Sequence, residues 1–447
     1  MTEPKPTDTL PPTDPLTPET DAANMADLAD GMAAGETSDK QNIPHPLTIP
    51  NYRYLLLNRT FATLGSAFDT VPFMWWAVEK NASGALAASI GMVAAIATFA
   101  VAPWAGVIAD KARKKPIMQL TYLIDVLLMV TAAALLILDT LTIWQAFMFT
   151  ILGNVVGNLR MPAKDALVPA VIPKRMYQKG TAFSELILTI ASLAAFPLAG
   201  AAVGLLGLGN GMLVGAGILI LASLMLIPLK EPDTARASAT LPMLASIAEG
   251  MRYILRSPFL VSLITIIALM NLVLAPMIVL MSTHINAMGG GATQLGLVMT
   301  ATMIGQFSGL LLSNVVSVQR PLPIIFFSTV LIGIGVGGMA YASNFLLLYL
   351  GLGIIGFAAA LINVQVSVLA QCVIVEEMRG RTSSVFATLN AALQPAIFAV
   401  IGVLLARVTP TQIFLWMGIA LISSSLMWLT GSVRKSIAEA KLSMATG

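Results

Sequence analysis

Beyond position 50 the chain is a succession of long apolar runs, broken only by short clusters of charge, glycine or proline. No Asp, Glu, Lys or Arg occurs from Ser257 to Gln319, and Pro321 to Val375 is equally bare. About 20 apolar residues suffice for one helix to cross a bilayer, so each run holds more than one crossing. The breaks predict twelve spans, at 53–78, 84–109, 116–138, 141–160, 180–204, 211–229, 259–284, 293–316, 322–342, 345–373, 382–406 and 411–433. Gly207, Gly209, Asn210 and Gly211 divide the fifth from the sixth. The run Gly289-Gly290-Gly291 divides the seventh from the eighth, and Ser343-Asn344 the ninth from the tenth.

Composition removes the soluble alternative. Hydrophobic residues make up 57% and charged residues 11%, against about 25% charged in a soluble domain. Charge then orients the spans, because Lys and Arg gather in cytoplasmic loops. With both ends inside, 21 of the 23 basic residues after position 50 fall in inner loops or inner helix ends, Lys80 and Arg407 being the exceptions. A multi-pass protein of the cytoplasmic (inner) membrane with both termini cytoplasmic is therefore expected. Its basic excess serves topology rather than nucleic-acid binding. Residues 1–50 carry 9 acidic and 2 basic residues and are rich in Pro, Thr, Asp and Ala. Such a segment cannot offset its ordering entropy by burial, and it lacks the basic start and apolar stretch of a signal peptide. It reads as a disordered acidic cytoplasmic tail.

The spans also repeat. Val171-Ile172, Met176 and Gly200 recur at an offset of 202 as Val373-Ile374, Met378 and Gly402, and Gly106 recurs as Gly309 at an offset of 203. The order implies two six-helix halves, 51–229 and 259–433, joined by a cytoplasmic linker at 230–258 and followed by a cytoplasmic tail at 434–447. Duplicated halves around a midplane site are the usual build of secondary transporters.

Between spans 2 and 3 the chain reads Gly106-Val107-Ile108-Ala109-Asp110-Lys111-Ala112-Arg113-Lys114-Lys115. This resembles the signature loop of the major facilitator superfamily, Gly-x-Leu-Ala-Asp-Arg-x-Gly-Arg-Lys, with Lys111 in place of Arg and Arg113 in place of the second Gly. Met161-Pro162-Ala163-Lys164, Glu249-Gly250-Met251-Arg252-Tyr253 and Glu376-Glu377-Met378-Arg379-Gly380-Arg381 resemble the macrolide-efflux and siderophore-export group (drug:proton antiporter-3) of that superfamily. The resemblance implies an all-α major facilitator fold and a gating loop of Gly106, Asp110, Lys111, Arg113 and Lys114. Asp110 would latch near Arg381–Ser384, at the start of span 11. The antiporter signature of span 5 survives only in part, as Ser192 to Gly200 with Pro197. No mid-span arginine of the kind found in proton-driven exporters is expected in span 4, whose only charge, Arg160, is placed at the inner end.

Three acids lie within apolar sequence, Asp69, Asp125 and Glu185. A charge at mid-bilayer costs about 2.5–3.5 kcal/mol on insertion scales, so such groups face water, pair, or hold a proton. Asp69 shares a helical stripe with Arg59, Thr63, Ser66 and Thr70. Arg59 stands about 15 Å away along the helix, too far to pair with it. Glu185 is a second candidate for proton coupling, with a salt bridge to Arg160, Lys164 or Lys179 as its structural alternative. Asp125 sits in span 3, which is peripheral in the resembled fold. Asn271, Gln306, Asn363, Gln365, Asn390 and Gln394 could line a substrate path or glue helices together. Gly153-x-x-x-Gly157 reads as a packing motif, and Trp75 and Trp76 fit an interfacial belt. A lone Cys372 and two histidines, His45 and His284, point to no metal site. No phosphate loop, His-Glu-x-x-His or Gly-x-Ser-x-Gly occurs, so neither a cofactor nor an enzymatic activity is expected. The expected protein is a monomeric proton-coupled exporter of an amphiphilic drug or siderophore. A lysophospholipid carrier, a metal or metal-chelate carrier, or a non-transporting scaffold acting through its tail, is the alternative.

Overall fold

The computed structural model describes residues 46–81, 84–173, 176–231, 249, 251–313, 321–374 and 376–426. Within them, after a short 3-10 turn at Pro46–Thr48, the chain forms α1 (Pro50–Asn81), α2 (Gly84–Lys111), α3 (Lys114–Ile137), α4 (Ile143–Val171), α5 (Tyr177–Leu206) and α6 (Leu208–Met225). The second half contributes α7 (Pro258–Leu274), α8 (Met277–Ala287), α9 (Ala292–Ser313), α10 (Pro321–Met339), α11 (Phe345–Val373), α12 (Glu376–Leu405) and α13 (Pro410–Ser425). Eight of the described helices are long and apolar enough to cross a membrane. Outward faces carry exposed Leu123, Leu127, Leu221, Phe327, Ile334 and Ile419. In water these would be a liability; against acyl chains they are the expected surface.

Span 7 is two helices, because Pro276 has no amide to continue the ladder from α7 and instead begins α8. The gating segment is not an open loop: α2 continues to Lys111 and α3 resumes at Lys114. The side chains of Gly106, Asp110, Lys111, Arg381 and Ser384 lie outside the described residues, as do the linker at 232–248 and both tails. Arg113 is exposed, and Lys114 acts through its backbone. The Glu231 carboxylate accepts from the amides of Lys114 (2.7 Å) and Lys115 (3.3 Å), capping α3. Lys115 Nζ in turn donates to the carbonyls of Ile227 and Leu229 beyond the end of α6, at 2.8 Å each.

At the opposite ends of the helices the turns are short and carry no net charge, Glu79 and Asp139 balancing Lys80 and Arg407. Thr142 and Gln145 form a capping box on α4, and Thr409 and Gln412 repeat it on α13. Gly207, at φ 86° and ψ 168°, is the single residue between α5 and α6. Asn344 accepts from the Leu347 amide to start α11. The bundle thus has a basic end, with Lys114, Lys115 and Lys230, and a neutral end.

Glycine lets the backbones close up inside each half. A methyl at Gly65 would meet Leu219 and one at Gly215 would meet Phe68, which locks α1 on α6. Gly305 and Gly309 of α9 abut α11, and Gly418 of α13 abuts Gly337 of α10 at 2.8 Å. Among the described residues two glycine seams join the halves, both near the neutral end. Gly200 of α5 faces the Ala292 carbonyl and Gly296 Cα of α9, at 2.8 and 3.0 Å from an added methyl, and Thr293 Oγ1 donates to the Gly200 carbonyl at 3.2 Å. Gly402 of α12 faces Ala88 of α2, where Gly91 also receives Phe398. Gly200 and Gly402 are the pair that the repeat picked out, so the two seams are counterparts.

Candidate functional site

A cavity of about 440 Å³ opens within the first half, between α1, α3 and α4, with Leu188 of α5 and Leu219 of α6 closing its sides. From α1 it receives the predicted stripe, Arg59, Thr63, Ser66, Asp69 and Thr70, followed by Phe73. Three- and four-residue spacing places these side chains on one helical face. From α3 come Tyr122 and Asp125, and from α4 Phe149, Asn154, Asn158, Arg160, Met161 and Lys164.

Arg160 corrects the sequence reading. It is not at a helix end: α4 runs 29 residues to Val171 and passes straight through it. Its Nη1 donates to Asp125 Oδ2 in a short ion pair whose side chains are only 19% and 13% exposed. The guanidinium also lies over the Tyr122 ring, 4.4 Å from its centroid, where the ring quadrupole favours a cation. Tyr122 in turn donates to Asn58 Oδ1 at 3.4 Å, and Asn58 Nδ2 to the Ala222 carbonyl at 2.7 Å. Asp125, expected at the periphery, is therefore part of the cavity wall.

Glu185 is taken up elsewhere. It pairs with Arg59 at 3.3 Å, not with Arg160, Lys164 or Lys179, and is 61% exposed. Arg59 Nε stays buried without a partner. Two of the cavity's charges stand outside any ion pair among the described residues. Asp69 is exposed to the cavity, and among the described residues no hydrogen bond or ion pair holds its carboxylate. Lys164 Nζ donates only to Met161 Sδ, at 3.3 Å, and forms no ion pair among them.

On α4, Gly153 and Gly157 have nothing within 4 Å of an added methyl. They widen the cavity rather than pack a helix, contrary to the motif reading. The polar ladder beside them was not singled out in the sequence. Asn158 Nδ2 donates to Thr98 Oγ1 at 3.2 Å, and Thr98 Oγ1 to Asn154 Oδ1 at 3.3 Å, tying α4 to α2. The i, i+4 spacing of Asn154 and Asn158 ahead of Arg160 and Lys164 was the signal available. Trp75 and Trp76 are 5% and 4% exposed, so they are core residues, not a belt.

None of the six polar candidates of the second half lines this cavity. Asn271 is spent on its own helix, donating to the Ile267 carbonyl at 2.8 Å. Asn363 is exposed, while Gln306 and Gln394 are half-buried. Gln365 is buried with both amide atoms unpartnered, and Asn390 Oδ1 is likewise unsatisfied. No group of three His, Cys, Asp or Glu among the described residues could hold a metal ion.

The sequence from residue 55 to 395 matches the family model for the Major Facilitator Superfamily. The chain belongs to the Major Facilitator Superfamily. No curated protein matches it in sequence. Among solved structures, a point mutant of the nucleoside transporter NupG superposes with a TM-score of 0.70 at 14% identity, over 85% of this chain and 100% of that one. A POT family transporter in complex with 5-aminolevulinic acid follows at 0.64 and 14%, over 89% and 98%. At such identities the likeness carries the superfamily fold alone.

Proposed function

We propose that this superfamily member is a secondary transporter in the inner membrane. On this reading it exports an amphiphilic small molecule of drug or siderophore type, by alternating access, in exchange for protons. The observation that carries the reading is the distribution of partners in the cavity. Asp125 and Glu185 are each held in an ion pair by an arginine, whereas Asp69 faces the cavity outside any ion pair among the described residues. A carboxylate not held in a direct pair is free to take up either a proton or a cationic group of the cargo. Mutual exclusion at one carboxylate gives exchange without further machinery. The seams near the neutral end support an inward-facing state, with both termini on the cytoplasmic side.

The test is proton flux in proteoliposomes holding an internal pH dye and challenged with a panel of amphiphiles. A compound on the panel should drive proton movement in the wild type and in Glu185→Gln, and none in Asp69→Asn. Full flux in Asp69→Asn would remove the coupling assignment. Silence across the whole panel would remove the exporter reading.

A further inference from the structure

The cavity is not the apolar pocket with one or two acids that a simple cation exporter calls for. It presents the acids Asp69 and Asp125 and the bases Arg59, Arg160 and Lys164, and once Arg160 is paired with Asp125 and Arg59 with Glu185, Asp69 and Lys164 are left outside any ion pair among the described residues. These two are not at the same depth. Asp69 is 12 residues from the neutral end of α1 and Lys164 is 21 residues from the neutral end of α4. At 1.5 Å per residue the offset along the bundle is about 14 Å, and a flexible lysine stem shortens it by several Å. Phe73 and Phe149, 6.4 Å apart between ring centroids, lie on the neutral-end side of Asp69, and Met161, about one turn before Lys164, is exposed. Between the two levels the wall is mixed, with Thr63, Ser66, Tyr122 and Asn158 beside Ala62, Gly157 and Leu188.

We propose that the cavity binds an elongated zwitterion, with its ammonium at Asp69, its carboxylate or phosphate at Lys164, and a linear chain between. The inference rests on the reading of this cavity as the cargo site. An α-amino acid, with both charges on one carbon, cannot reach both residues. A fatty amine offers no group of opposite sign to Lys164, and a fatty acid offers none to Asp69. Each therefore forgoes one charged hydrogen bond that the zwitterion makes.

The experiment is calorimetric titration of the full chain in lipid nanodiscs, with empty nanodiscs subtracted. The probes are ω-aminooctanoic acid, its isomer α-aminooctanoic acid, octanoic acid and octylamine. The ω-isomer should bind about tenfold tighter than each of the others, the low end for one charged hydrogen bond. In Asp69→Asn its advantage over octanoic acid should vanish. In Lys164→Gln its advantage over octylamine should vanish, and Lys164→Arg should restore it. Equal affinity for the two isomers, or an undiminished preference in both neutralised variants, would overturn the proposal. Selective binding of the ω-isomer without any driven proton flux would leave this inference standing and remove the antiport reading. Flux driven by octylamine as well as by the ω-isomer would do the reverse.

Discussion

Arg160 and Asp125 show how a buried pair behaves as one object. Each was costly to desolvate, and neither has water to fall back on. Arg160→Gln leaves a buried carboxylate uncompensated and should cost about 3–5 kcal/mol, read as a lowered melting temperature in detergent. The double variant Arg160→Gln with Asp125→Asn should be more stable than Arg160→Gln alone. Glu185→Gln breaks a pair that is largely in solvent, and the melting temperature should barely move. At this scale the sequence was legible on α1, because Asp69 and its stripe repeat at helical spacing. It was misleading on α4, where a charge was taken as the end of a span. Hydropathy reports contact with lipid, and a helix whose polar side faces a cavity runs on through its charges. Pairing was beyond the sequence, since Arg59 and Glu185 are joined by tertiary packing across 126 positions.

Helices were found where the apolar runs placed them, since burial in a bilayer obliges each run to satisfy its own backbone. Ends were less legible. The turn at Gly207 was read from four polar and glycine residues, yet it consumes one. Gly207 has a conformation that side chains rarely adopt, with nothing within 4 Å of an added methyl. Gly207→Ala should therefore destabilise by backbone strain alone, about 1–3 kcal/mol. Gly217, inside α6 and equally open, provides the control: Gly217→Ala should not destabilise. Melting curves of the two variants separate strain from crowding. The division of span 7 rested on Pro276, a residue in plain view whose effect depended on whether neighbouring helices would accept a break.

Across the molecule the offset of 202 proved the most informative signal in the sequence, because Gly200 and Gly402 each sit at a seam between the halves. What the repeat did not reveal was which end of the bundle the seams would close. A methyl at Gly200 falls within 2.8 Å of the Ala292 carbonyl and 3.0 Å of Gly296 Cα, and backbone cannot yield cheaply. Gly200→Ala should pry the neutral end apart and shift the population toward the opposite state. In a Cys372→Ser background, a cysteine placed at Thr293 should be labelled faster by a membrane-impermeant maleimide from the neutral side when Gly200→Ala is present. Unchanged labelling would mean that the seam is not part of the gate. The cavity itself was only half legible. Its α1 wall came from periodicity, and the second half's polar residues, read either as substrate lining or as helix glue, do not line it.

The ion pair between α3 and α4 also bears on how the protein is made. The two helices follow one another in the chain, joined by the short turn 138–142. Presented singly to the translocon, Asp125 and Arg160 would each incur the insertion penalty of a lone charge; entering as a hairpin, they neutralise one another before reaching lipid. α3 should therefore be retained at the channel until Arg160 has been synthesised, making the insertion of α3 and α4 a two-helix event rather than a helix-by-helix one.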